Sequence, residues 1–152
     1  MGIIPDQHWM RFAIEQAHLA AKQGEVPIGA VLVYQNEIIA QGFNQCMARN
    51  NAMLHAEVVV IEKACEILKN YRLNQCTLYV TVEPCMMCCG ALIQARLARV
   101  VYGASESKTG CVHSHLKLLD QDFLNHKMMI SSGVLKTECQ QVMSDFFSNK
   151  RK

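Results

Sequence analysis

Proline is scarce in this chain of 152 residues, with three in all, and long apolar runs are missing. The first shortage leaves no proline-rich linker to separate domains, and no internal repeat or low-complexity segment is found either. The second excludes a membrane span, which needs roughly eighteen or more consecutive apolar residues. A secretory signal pattern is also missing, because charged and polar residues interrupt the N-terminus early. Strong net charge is absent too: 15 Lys and Arg against 13 Asp and Glu leave a formal +2. That balance does not announce a nucleic-acid partner, and it does not exclude one.

Apolar residues are plentiful at 51%, enough for one domain, residues 1–152, with a proper core. Eight cysteines are the second abundance. A domain of this size folds without staples, and two of the cysteines sit in metal spacing, so a reducing compartment is expected. The protein is therefore expected to be soluble and cytoplasmic.

The chemistry concentrates in Thr81-Val82-Glu83-Pro84-Cys85-Met86-Met87-Cys88, with His55-Ala56-Glu57 upstream. A helix beginning at Pro84, where proline suits the first helical position, places Cys85 and Cys88 one turn apart on one face. Both sulfurs then reach one ion, and the positive helix end favours thiolate, the form that binds zinc. His55 makes a third ligand. Three protein ligands leave a tetrahedral zinc one open position, as in catalytic sites, whereas structural sites close with four. Water there would have its pKa lowered to roughly 7. Glu57, expected on the first turn of the same helix as His55, is the candidate proton carrier and does not ligate.

Along the chain, Trp9, Phe12, Ala13, Ala17, Ala20 and Ala21 recur at helical spacing and predict a helix from about Pro5 to Lys22, ended by Gly24. Val26 to Tyr34 and Glu37 to Phe43 read as a hairpin turning at Gln35-Asn36. A helix follows over His55 to Leu68, then a strand over Thr77 to Val82 that delivers the metal ligands at its carboxyl end. The periodic part of the next helix runs from about Met86 to Arg96, and Arg99 to Tyr102 forms a strand parallel to the last. Gly103 to Ser114 reads as a loop walling the pocket. A short strand at Lys127 to Ile130, a turn at Ser131-Ser132-Gly133, a helix from Leu135 to Phe147 and a basic tail, Lys150-Arg151-Lys152, complete the chain. The elements predict an α/β fold, one sheet sandwiched between helices.

The pattern His-x-Glu followed by Pro-Cys-x-x-Cys matches the already known signature of zinc nucleobase deaminases. More widely, Glu25 to Val31, Asn70 to Leu73, Leu78 to Cys85, Lys108-Thr109-Gly110, Asn125-His126 and Ser144 to Phe147 resemble the bacterial tRNA-specific adenosine deaminases. The resemblance implies a three-layer α/β/α sandwich with a five-stranded mixed sheet, cytidine deaminase-like, and a homodimer with one Zn2+ per subunit. It implies hydrolytic conversion of the wobble adenosine of a tRNA anticodon loop to inosine, with ammonia released. Single-stranded loops suit this because their bases can be splayed into a pocket. By similarity Asn44 hydrogen-bonds the flipped base, and the backbone at Ala56 and Pro84 stabilises the attacking oxygen and the exocyclic amine. Lys108 and the basic tail are candidates for phosphate contact, and Phe147 for base stacking.

The chain departs from the family pattern in places. Asn50-Asn51-Ala52-Met53-Leu54 stands where relatives carry Asp-Pro and a small residue, Glu106 where aspartate is common, and Cys46 where arginine often sits. Glu106 is thereby expected to differ in reach toward nucleic acid. Competing readings stay open: a closed structural zinc completed by Cys89, Cys111, His113 or His115, a deaminase of free guanine or cytidine, or a non-catalytic tRNA-binding subunit. Phe146 and Phe147, adjacent on one helix, predict either one ring packed inward and one free to stack on a base, or both packed in the core.

Overall fold

Alternation along the strands dictates the layers, since successive side chains of a strand point to opposite faces. The computed structural model describes residues 2–150. Strand β1 (Gly29–Tyr34) sends Ala30 and Leu32 to one core and Val31 and Val33 to another. Strand β3 (Thr77–Val82) likewise divides Leu78 and Val80 from Tyr79. Both faces are covered, so these strands read as continuous apolar runs.

Helix α1 (Asp6–Lys22) and helix α4 (Lys136–Lys150) cover one face, through Trp9, Met10, Ala13 and Cys139. Helix α2 (Ala56–Leu68) and helix α3 (Met86–Ala95) cover the other, through Ala56, Val60, Ala64, Cys89, Leu92 and Ala95. Between them lies a five-stranded mixed sheet in the order β2-β1-β3-β4-β5, with β2 (Glu37–Phe43), β4 (Arg99–Ala104) and β5 (Met129–Ser131). β1 is antiparallel to β2 and β3, while β3, β4 and β5 are parallel. Gly29 admits α1 close to the sheet, because a side chain there would collide with the backbone of Ala13 and Ala17. No helix among the described residues is long and apolar enough to cross a membrane.

Several expected boundaries move, each for a local reason. β1 begins at Gly29 rather than Val26, because the Ile28 N–H turns back onto the Val26 carbonyl (2.8 Å) across Pro27, which has no N–H to give. The hairpin turn keeps Gln35 and Asn36 at positive φ (51° and 60°), the signature of a type I′ turn made without glycine. Pro84 is not the first helical residue. Cys85 pairs its extended backbone with Gly110, becomes the N-cap, and leaves Met86 as the first residue of α3, which ends at Ala95. His55 is the N-cap of α2 rather than part of its first turn. β4 extends to Ala104 because Val82 pairs with it, and β5 sits at Met129–Ser131. α4 starts after Leu135, whose φ of 50° is not helical, and continues to Lys150. A short 3-10 turn at Leu118–Asp120 has no counterpart in the sequence reading. Arg151 and Lys152 of the basic tail lie outside the described residues.

Candidate active site

The two helices that cover one face of the sheet begin side by side, and their caps carry the reactive groups. His55 is the N-cap of α2, Cys85 the N-cap of α3, and Cys88 is buried one turn further on. His55 Nδ1 lies 3.6 Å from the Cys85 sulfur and 3.5 Å from the Cys88 sulfur, and the three ligand atoms fall within 4.8 Å of one another. A tetrahedral zinc site has an N···S edge of about 3.6 Å, given Zn–S near 2.3 Å and Zn–N near 2.0–2.1 Å. The donor set therefore fits zinc in type and in spacing.

Among the described residues no fourth side chain joins this cluster. The residues that would close a structural site are engaged elsewhere. Cys89 points its sulfur at the Pro84 carbonyl (3.8 Å), Cys111 at that of Thr109 (3.5 Å), His113 pairs with the Tyr102 hydroxyl (2.7 Å) and His115 with the Ser107 carbonyl (2.7 Å). The cluster is also poised electrically. The Cys88 thiol, with His55 behind it, holds the Cys85 thiol down to about 3 against the effect of burial. Cys88 is pushed up in turn, first by sharing its hydrogen with Cys85 and then by burial. His55 is raised, chiefly by its hydrogen bond to Cys85.

Glu57 sits beneath the cluster, 3% exposed, and its Oε1 has no hydrogen-bond partner. Burial is the largest influence on it and pushes its carboxyl up to about 7, against the opposing pull of its own N–H and of His55. A buried carboxylate oxygen without a donor is costly unless something occupies the space beside it. The orphaned oxygen and the three-ligand cluster make one site able to hold a metal and move a proton.

Next to the cluster opens a cleft of about 670 Å³ lined by Val26, Ile28, Asn44, His55, Glu106, Lys108, Thr109, Met143, Ser144, Phe147 and Ser148. Asn44, Glu106, Lys108 and Phe147 are thus brought together with His55. Asn44 is 5% exposed, and its Oδ1 accepts the Ala56 N–H at 2.7 Å. That bond fixes the amide orientation and leaves the NH2 as the group Asn44 can offer a ligand. The Ala56 N–H is thereby engaged by Asn44. The Pro84 carbonyl is engaged as well, by the N–H of Cys111 (2.9 Å). Phe147 is 40% exposed in the cleft, while Phe146 is half-buried beneath Lys150 and faces the groove between α1 and α4. Lys150 therefore lies apart from the cleft. Glu106 Oε1 accepts the N–H of Lys108 (2.9 Å), so this carboxylate is turned partly to its own loop.

A sequence model of the MafB19-like deaminase family matches residues 4–151. A tRNA-specific adenosine deaminase of Buchnera aphidicola subsp. Schizaphis graminum is 43% identical over 96% of both chains. That of Bacillus subtilis is 45% identical over 97% of this chain and 91% of its own. The chain belongs to the tRNA-specific adenosine deaminase family. A solved structure from work on A-to-I editing by tRNA:A34 deaminases at the wobble position superimposes with a TM-score of 0.86 at 40% identity, over 89% of this chain and 98% of that one.

In this deaminase two buried carboxylates beside the cleft escape the sequence reading. Glu25, 2% exposed, accepts the N–H groups of Met47 (3.1 Å) and Ala48 (2.7 Å), shaping the segment between Asn44 and His55. In the same segment Asn51 Oδ1 accepts the Met53 N–H (3.0 Å). Glu83, 3% exposed, accepts from Glu106, Val112, His113 and Ser114. Glu83 leaves a signal in the sequence as an acidic residue ending an apolar strand, which marks burial but does not name a partner, whereas Glu25, preceded by Lys22-Gln23-Gly24, leaves none.

Proposed function

We propose that this protein converts the wobble adenosine of a tRNA anticodon to inosine by hydrolytic deamination, working as one domain with one Zn2+ held by His55, Cys85 and Cys88. The observation that carries the reading is the three-ligand cluster with the unpartnered Glu57 Oε1 beside it. Sequence identity of 43% and 45% to relatives named for tRNA supports the choice of substrate over free guanine or cytidine.

A zinc ion in that cluster supplies Lewis acidity that makes water a nucleophile near neutral pH. Asn44 holds the base with its amide NH2, its Oδ1 being fixed by Ala56. Phe147 and Lys108 line the cleft where a flanking base and a phosphate would lie. Glu57 takes a proton from the attacking water as the C6–O bond forms and passes it to the C6 amino group, which leaves as ammonia. Burial raises that carboxyl above the ordinary carboxylate range, which favours its taking and returning a proton. Burial in an apolar site keeps the proton from solvent.

Large exposed apolar side chains on α3, Met86 at 61% and Met87 at 36%, support a homodimer. The expected setting is the cytoplasm, where tRNA is found.

The test offers the purified protein an anticodon stem-loop with wobble adenosine, alongside free adenosine, guanine and cytidine. Inosine in the stem-loop with ammonia release is the expected result. Turnover of a free base with the RNA untouched would keep the chemistry and overturn the substrate.

A further inference from the structure

We infer that Glu83 is a positioning residue for substrate binding: its carboxylate clamps both ends of the 106–114 loop, so that Glu106, Lys108 and Thr109 stand as the cleft wall that receives the nucleotide. The inference rests on the function proposed above and deepens it. Glu83 Oε1 accepts from the Glu106 N–H (3.0 Å) and the Ser114 hydroxyl (2.5 Å), while Oε2 accepts from the N–H groups of Val112 (3.1 Å), His113 (2.9 Å) and Ser114 (2.9 Å). One side chain thus joins the loop's entry to its exit. Between the clamped ends lie Lys108 and Thr109, both in the cleft lining.

The clamp is relayed inward. Glu106 accepts the Lys108 N–H with its side chain (2.9 Å) and the Gly110 N–H with its carbonyl (2.8 Å). Gly110 is the residue that lets the carboxylate in, since a Cβ there would overlap the Glu83 carboxyl carbon and Oε1. No cation neutralises Glu83 in the ion pairs of the described residues, where Asp6–Arg99 is the one pair found. Its charge is balanced by oriented N–H dipoles of the loop, so loop and carboxylate hold each other in place.

The substitution Glu83→Gln tests this, being equal in size but turning one acceptor oxygen into a donor. Whichever way the amide lies, it sets an NH2 against two or three donors. A wall residue that contacts substrate away from the reacting atoms contributes to ground state and transition state alike, so its loss raises KM and spares kcat. We expect KM for the stem-loop to rise about tenfold or more, kcat to stay within about threefold, and zinc content to match wild type. Hydrogen exchange should quicken at Glu106, Val112, His113 and Ser114. Gly110→Ala, which pushes on the carboxylate from the loop side, should reproduce the pattern with Glu83 intact, and Ser114→Ala should give a smaller KM rise. These two variants decide the matter if Glu83→Gln fails to fold.

Loss of zinc, a fall in kcat at unchanged KM, or unchanged kinetics would each overturn the inference. A wild-type protein inert on the stem-loop would instead overturn the proposed substrate. The same rise in KM alone is then required of Glu83→Gln on whichever substrate is turned over.

Discussion

Glu57 and Glu83 are equally shielded from solvent, each 3% exposed, but Glu57 lies deeper among protein atoms and the two differ sharply in hydrogen bonding. At Glu57 burial dominates, Oε1 is left without a partner, and the carboxyl rises to about 7. At Glu83 burial is again the largest single influence and again pushes upward, but the Ser114 hydroxyl and the backbone N–H groups together outweigh it and hold the carboxyl near 2. Solvent exposure alone does not decide the fate of a buried acid. Depth among protein atoms and the number of donors aimed at it do, and here the deeper, under-supplied acid is the one beside the His55–Cys85–Cys88 cluster.

The comparison breaks most completely if the cluster itself is removed. Cys85→Ala should abolish both zinc binding and inosine formation, read by metal analysis and by RNA digestion; full activity in that variant would sink the metal assignment. Glu57→Gln should lower turnover by about 10²–10⁴ while zinc content stays at wild type, because proton transfer is lost and the ligands are not. A protein that only binds tRNA would be indifferent to it. Phe147→Ala sharpens the contrast from the far side of the cleft. It should weaken stem-loop binding by about 1–3 kcal/mol, measured by titration, if the ring stacks on a base.

A third carboxylate gives the smallest effect. Asp6 forms a two-bonded pair with Arg99 (2.9 and 2.7 Å) and accepts from Tyr79 (2.9 Å), and both partners of the ion pair are 26% exposed. Its pKa is lowered from 3.8, first by Arg99. A lowered carboxyl stabilises the fold above its ordinary pKa, and that gain disappears as pH falls through the folded value. Asp6→Asn should therefore cost about 1 kcal/mol or less at pH 7, by denaturant midpoint, and the difference from wild type should shrink as the solution is acidified below pH ~4.

The sheet was legible wherever side-chain alternation alone sets the structure. β2 and β3 fall at their expected residues because period and propensity agree there. Val26-Pro27-Ile28 misled because Val26 and Ile28 favour strands individually, while the path of the chain is set by one N–H turning back across a proline. Pro84 misled for a similar reason: a bridge to Gly110, 25 positions from Cys85, keeps Cys85 out of the helix. The clustering of His55, Cys85 and Cys88 was readable because thiolate and imidazole spacing is itself the chemistry. Glu83 was not, since its donors lie 23 to 31 positions downstream and no local pattern announces a loop folding back over a carboxylate. The Ala56 amide shows the same limit, its acceptor being Asn44 on a different element.

The cluster also has a mechanical side. His55 and Cys88 stand 33 positions apart and head different helices, with the whole of β3 between them. An ion bound to both would tie α2 to α3 much as a covalent staple would, closing a loop that the unfolded chain leaves open. Metal occupancy and the packing of that face of the sheet would then become a single cooperative property of the protein.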